Sequence, residues 1–316
     1  MSAPCTGASV FTQLAIATAM LVGSMYAAAV LNAISARIVA RRPLHLTDAI
    51  TRPLRSAASL LLQTPSTTER PDAPAWVLAP ALLGAMAFAA TAAIPFTPDA
   101  PVVDSGIVFF GALMAMVMVA VFLHGWSANS LLPLVGGYRF IAAALSYEMP
   151  LALVLIAAAI PAESLSAGAI VHSQHTWWNV VRQPLGLPIY MVAVAGLSFW
   201  GPLAFPDARD IAGGTTAERS GVTLLLWKVA RFAVLAASSA MGAAAFLGGP
   251  GGPWLPPVAW MAVKTLALIT VIVTAGHRIA RVRLERFVVL AWTVLIPLAL
   301  VDVFGAGIVT MLGQRR

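Results

Sequence analysis

Eight apolar runs follow one another along the chain, at residues 10–34, 76–96, 106–124, 139–160, 187–205, 222–247, 258–276 and 287–312. Each lies near the roughly 20 residues that a helix needs to cross the hydrocarbon of a bilayer, and none is long enough for two crossings. The pattern predicts an all-α integral membrane protein, with about eight transmembrane helices in a single polytopic domain covering residues 1–316. A ninth segment, residues 50–63 (ITRPLRSAASLLLQ), is too short to span. Leu54, Ala57, Ala58, Leu61 and Leu62 recur there at helical spacing, which predicts a short amphipathic helix at the cytoplasmic-side surface. Pro53 at its start suits the first helical turn.

Composition agrees with the pattern. Of 316 residues, 60% are hydrophobic and 10% charged, against roughly 25% charged in a soluble domain. The net charge of +7 would suit nucleic acid, but the cations sit in short loops between apolar runs, so positive-inside bias explains them. Arg37, Arg41, Arg42, Arg52, Arg55 and Arg70 lie in the first long loop, Arg209 and Arg219 in 206–221, and Arg278, Arg281, Arg283 and Arg286 in 277–286. Arg139 opens the fourth run on the same side, and the other side holds Arg182, Arg315 and Arg316. Thirteen against three places those loops in the cytoplasm and both termini outside, as an even number of spans requires. Loop 97–105, with Asp99 and Asp104, and the uncharged 248–257 then face outward. A lone Cys5 excludes an intrachain disulfide and a cysteine-held iron–sulfur or zinc site. The first run is too long for a signal-peptide core and has no cationic leader, so it reads as a retained helix. The Ala/Arg-rich usage reads as that of a high-GC bacterial genome, so the spans are expected to cross a bacterial cell membrane.

Five ionisable residues remain inside the runs: Glu148, Lys228, Arg231, Lys264 and Asp302. A charge in hydrocarbon costs ~2.5–3.5 kcal/mol on insertion scales, so each needs a partner or a use. Glu148 is either a carboxylate bonded between helices to fix their packing or a station in a proton relay. Lys228 and Arg231, three apart, share one face of the sixth helix near its cytoplasmic start and have the length to snorkel inward. Lys264 has the same option outward, and Asp302 invites a cation. Loop 206–221 gathers Asp207, Asp210 and Glu218. Its plain reading is a solvated loop, but Gly213-Gly214 permit a reversal that turns its acids toward the bundle. His172 and His175, beside Trp177 and Trp178, lack a third metal ligand and fit an interfacial aromatic belt better.

Three motifs occur together. The first, G-W-S-A-N-S…G-G-Y-R-F…L-S-Y-E-M-P-L-A, covers 125–152 and includes Gly125, Trp126, Asn129, Ser130, Arg139, Ser146, Tyr147 and Glu148. The second is A-G-G-T-T-A-E-R-S-G at 212–221, with Glu218. The third, K-T-L-A-L…H-R-I-A-R-V-R-L-E-R-F…W-T-V-L-I-P-L, covers 264–298 with Lys264, Arg281, Arg283, Glu285, Trp292 and Pro297. In order and spacing they resemble the H-subunit family of bacterial NADH–quinone oxidoreductase, subunit 1 of the mitochondrial complex. That family's patterns are G-W-x-S-N-S…R…S-Y-E, A-G-Y-H-T-E-Y-S-G and V-K-T…P-R-x-R-x-D-Q…W-K-x-x-L-P-L. The likeness runs from about residue 50 to 312.

The resemblance implies an eight-helix subunit at the heel of the membrane arm of respiratory complex I. Such a subunit joins the redox arm, forms part of the quinone chamber and carries a line of acids toward antiporter-like subunits. On that analogy Glu148, Glu218, Asp207 and Asp210 are proton-path candidates, with Arg139, Lys228, Arg231, Lys264, Arg281, Arg283 and Glu285 as supporting charges. Quinone would be a substrate at a subunit interface. NADH, FMN and iron–sulfur clusters would belong to partner subunits of the membrane and peripheral arms, and this chain would bind no cofactor or metal and hold no catalytic residue.

The chain departs from the family in places that mark a divergent member. Its first cytoplasmic loop reads A-R-R-P-L-H-L in place of R-x-G-P-N, and the surface helix has Ser56, Ser59, Gln63 and Thr64 where Asp, Lys, Lys and Glu stand. The family's A-E-x-N-R-x-P-F-D is here S-F-W-G-P-L-A-F-P-D, without its first Glu and its Arg. Three other readings stay open: the matching ion-translocating subunit of an energy-converting hydrogenase, which needs no quinone; a secondary transporter, although the halves show no repeat; and an inert anchor.

Overall fold

The computed structural model describes residues 7–43, 45–98, 100 and 103–313, so Cys5, Asp99, Arg315 and Arg316 lie outside the described residues. Among the described residues, seven helices are long and apolar enough to cross a bilayer. They are α1 (Gly7–Val39), α3 (Ala73–Ala90), α4 (Gly106–Trp126), α5 (Leu131–Ala159), α7 (Gly221–Phe246), α8 (Pro257–Arg278) and α9. Helix α9 begins at Leu284–Leu290, passes through one π turn at Ala291–Leu295 and continues as Ile296–Gly313. The amphipathic α2 (Leu46–Leu61) and the short apolar α6 (Gly186–Leu197) join them, and two helices of seven residues or fewer, at Ala167–Ser173 and Asn179–Arg182, lie between α5 and α6.

Helix α7 is the central column. From Ala233 to Phe246 every residue is buried, and small side chains (ASSAMGAAA) let α1, α3, α6 and α8 approach closely. Helix α5 is a second axis, packed against α4, α6 and α9.

Contacts at the helix ends sort the loops onto two ends of the bundle. At one end Ser66 bonds Ser220, Asn129 bonds the carbonyl of Arg70, Arg139 pairs with Asp210, and Arg281 reaches the carbonyl of Asp207. At the other, Thr97 donates to Gln13, Gly248 to Gln174, and Lys264 to Gly249. The arginine-rich loops therefore share one end. The Gln13 turn of α1 lies at the other, and so does Asp302 of α9, whose Oδ2 is 2.8 Å from where a Cβ on Gly186 would stand.

The chain crosses between these ends eight times, but the fifth crossing is not the helix expected over 187–205. Helix α6 has 12 residues, about 18 Å at 1.5 Å per residue, against a ~30 Å hydrocarbon core. An irregular stretch, 198–205, makes up the rest. Ser198 Oγ turns back to the Val194 carbonyl at 2.6 Å, Phe199 takes φ 42° and Gly201 φ 63°, and Pro202 follows. A Cβ on Gly201 would stand 2.6 Å from the Cα of Gly276, so backbone meets backbone here. Non-helical chain at membrane depth survives only when protein covers its polar groups. Here Arg231 of α7 does so, donating Nε to the Ser198 carbonyl at 3.2 Å and Nη2 to the Phe199 carbonyl. A cation also suits the negative end of the α6 dipole.

Several boundaries also move, and two of the shifts have a reason in the sequence. Helix α5 starts at Leu131, not 139, because Pro133, Gly136-Gly137 and Arg139 dilute the hydropathy of a segment that is nonetheless helical. Helix α2 starts at Leu46, so Pro53 sits in its interior and not in its first turn.

Candidate functional site

A chamber of about 560 Å³ opens between α1, α2 and α7 near the arginine-rich end. Its α1 wall is apolar (Val22, Met25, Ala29, Ala33) apart from Tyr26 and Asn32. Helix α2 closes it with Pro53, Leu54, Ala57 and Leu60, while Trp200, Phe232, Lys228 and Arg231 line its inner wall. Helix α2 is pinned there by Tyr26 Oη, which donates to the Ile50 carbonyl at 2.8 Å, and by Asp48, which pairs with Arg37 of α1 and with Arg55 at 3.1 Å. Asp48 does not stand out in the sequence, where it reads as one more loop charge.

Arg231 belongs to both the chamber and the loop. Its guanidinium lies over Trp200 at 4.5 Å and caps α6, and its Nη1 is 3.7 Å from Asp207 Oδ2. Asp207 Oδ1 accepts from Thr215 Oγ1 at 2.7 Å, and its side chain is only 13% exposed. Burial pushes its carboxyl above the usual range, against the opposing pull of Arg231, the Thr215 hydroxyl, Arg281 and Lys228. Lys228, one turn before Arg231, also lines the chamber and makes no hydrogen bond or ion pair among the described residues.

Gly213-Gly214 set this arrangement. Both have positive φ, and a Cβ on Gly214 would stand 1.8 Å from the Pro206 carbonyl. The reversal divides the acids. Asp207 turns inward, while Asp210 is 61% exposed, bonds Arg139 at 2.7 Å and is held below the usual carboxylate range chiefly by that bond. Glu218 is half-buried and accepts from Ser130 Oγ at 3.3 Å.

Beside Glu218 lies a residue that sequence reasoning counted only as a loop cation. Arg219 is 4% exposed and stacks over Trp76 at 3.8 Å. It donates to the Trp76 carbonyl at 2.9 Å and to Ser127 Oγ at 2.6 Å. Burial lowers its guanidinium to about 10, so it stays charged at neutral pH. His124, fully buried, stacks on Trp227 at 3.5 Å between ring centres, with neither ring nitrogen hydrogen-bonded among the described residues. Both residues contact partners about 100 positions or more away, which no local pattern reveals.

The other sequence candidates stand apart. Glu148 lies along α5, well inside the bundle from the turn where the loop packs on Gly136. Among the described residues its Oε1 is buried without a partner, as is the hydroxyl of the preceding residue Tyr147, and no hydrogen bond links it to the loop acids. Arg283 and Glu285 are exposed at the start of α9. Lys264 is sealed at the opposite end, its Nζ donating to the carbonyls of Gly249 at 2.8 Å and Gly251 at 2.6 Å, between Trp178 and Trp260. Asp302 is buried against Gly186 and forms no ion pair among the described residues. His172 and His175 line a hollow of about 740 Å³ at that end. Among the described residues no three His, Cys, Asp or Glu side chains converge on a metal position.

The family model described as NADH dehydrogenase matches residues 11–306. The chain is 32% identical over 273 residues to an H subunit of NADH-quinone oxidoreductase from Geobacter metallireducens, covering 83% of each chain. It is 32% identical to an H subunit from Rhodopseudomonas palustris over 75% of each, and 29% identical to one from Syntrophobacter fumaroxidans over 81% of each. With eight crossings, a chamber under an amphipathic helix and an acid-bearing loop that folds back on it, the chain belongs to the NADH dehydrogenase family that holds the H subunits of NADH–quinone oxidoreductase.

Proposed function

We propose that this chain is a membrane-arm subunit of a proton-translocating NADH–quinone oxidoreductase, in which it houses a quinone head and passes the charge of its reduction to buried acids. The arginine-rich end faces the cytoplasm, where positive loops belong. There the subunit meets partners of the peripheral arm, which carry NADH, FMN and iron–sulfur clusters. The chamber suits a quinone: apolar along α1 and α2 for an isoprenoid tail, and aromatic and cationic at Trp200, Phe232, Lys228 and Arg231 for a ring with two carbonyl oxygens.

The observation that supports coupling is the shared Arg231. Two electrons and two protons convert a quinone to a quinol, and electrons that arrive ahead of protons bring negative charge into the chamber. That charge competes with Asp207 for Arg231, 3.7 Å away. With its nearest cation drawn off, a carboxyl already pushed up by burial takes a proton. Glu218 and then Glu148 are the next stations on this reading, with water completing the gaps.

The test is Asp207→Asn in native membranes, with NADH–quinone reduction and proton uptake measured together. Reduction that persists while protons moved per electron fall supports the assignment. An unchanged ratio removes Asp207 from the path.

A further inference from the structure

We infer that the mouth of the α1/α2/α7 chamber seats an anionic phospholipid, whose phosphate is held by Arg52 and Lys228. Arg52, Lys228 and Arg231 line the cavity and no carboxylate does. Arg231 is already engaged by Asp207 and the end of α6. Arg52, from α2, and Lys228, from α7, are exposed and make no hydrogen bond or ion pair among the described residues. Helix α2 does carry a carboxylate, but Asp48 is taken by Arg37 and Arg55, so it does not neutralise the mouth.

Two uncommitted cations at one opening, at the depth where a surface helix meets the bundle, form a seat for an oxyanion. Phosphate is the common chemistry, and its surroundings select the source. Val22 and Leu54, at the same opening, are 57% and 59% exposed. A hydrated phosphate ion gains nothing from these apolar surfaces, whereas a lipid lays its acyl chains along them while its head meets the cations. Basic pockets between helices on the cytoplasmic side bind anionic headgroups in this way. The seat shares Lys228 with the quinone reading but does not rest on it, since Arg52, on α2, is no part of the inner wall at Trp200 and would hold a lipid head whatever occupies that wall.

The test is native mass spectrometry of the assembly, purified in mild detergent, delipidated and titrated with phosphatidylglycerol or phosphatidylcholine. We expect selective retention of phosphatidylglycerol, weakened about fivefold by Arg52→Gln or Lys228→Gln alone and roughly twenty- to thirtyfold by both. The exchange Arg52→Lys with Lys228→Arg keeps it, and Arg286→Gln, an exposed cation outside the cavity, leaves it unchanged. Subunit content in the same spectra separates lost lipid from failed assembly, and the single variants carry the test if the double one does not assemble. Equal retention of phosphatidylcholine, undiminished binding in the glutamine variants, or displacement of the lipid by inorganic phosphate would each overturn the proposal.

Discussion

Arg231 and Lys264 are both cations inside the helix bundle, one near each end, and they are satisfied in opposite ways. Lys264 is closed off by two backbone carbonyls and two tryptophans, with no acid in reach among the described residues. Arg231 also meets carbonyls and an aromatic ring, but its remaining face touches Asp207 and its flank lines a chamber. A cation held only by carbonyls has fixed surroundings and can do nothing but hold a loop. A cation shared between a cavity and a titratable acid transmits whatever changes in the cavity. The difference lies in the partners and not in the burial of the charge.

The sharpest way to break the contrast is Arg231→Gln. It strips the end of α6 and leaves Asp207 without its nearest cation, a loss of about 3–5 kcal/mol for a buried pair deprived of one partner. Thermal unfolding of the assembly should show that loss, and quinone reduction should fall at least as far as folded protein does. Lys264→Met comes next, since it removes charge-assisted bonds worth about 1.5–3 kcal/mol to stability. Activity per assembled complex, its pH profile and the KM for quinone should stay put, and a shift in any of them would show that Lys264 is wired to the site.

A third test compares the two loop aspartates by pH. The folded-state pKa of Asp207 is raised, so its contribution to stability is full at acid pH and fades as pH rises from the ordinary carboxylate range through its raised value. Asp210 is depressed, so its smaller contribution is present above the ordinary range and fades as pH falls through its lowered value. Hydrogen exchange of residues 206–221 between about pH 4 and 7 should therefore show protection that declines upward, and Asp207→Asn should flatten the slope. The smallest effect belongs to Asp210→Asn. An exposed pair with Arg139 is worth at most ~1 kcal/mol, and its melting point should barely move.

How much of this was legible in the sequence follows from what sets each feature. Bilayer thickness imposes a length on apolar runs, so the seven long helices among the described residues announce themselves. Hydropathy does not register a backbone break, so the chain from Phe199 to Phe205 looked helical although its φ angles and its arginine cap make it irregular. The acids gathered in loop 206–221 drew attention to Asp207, Asp210 and Glu218, but three-residue spacing in a loop cannot say which acid turns inward. Gly214 against the Pro206 carbonyl decides that. Arg219 and His124 escaped notice because their partners, Trp76 and Trp227, are distant in the chain and adjacent only after α3, α4 and α7 assemble.

The claim that Arg231 passes the chamber's charge to Asp207 is most directly tested by infrared difference spectroscopy of the assembly in membranes, recorded on reduction of bound quinone. The account predicts a carboxylic-acid band that grows on reduction, vanishes in Asp207→Asn and persists in Asp210→Asn. A band of undiminished size in Asp207→Asn would contradict it.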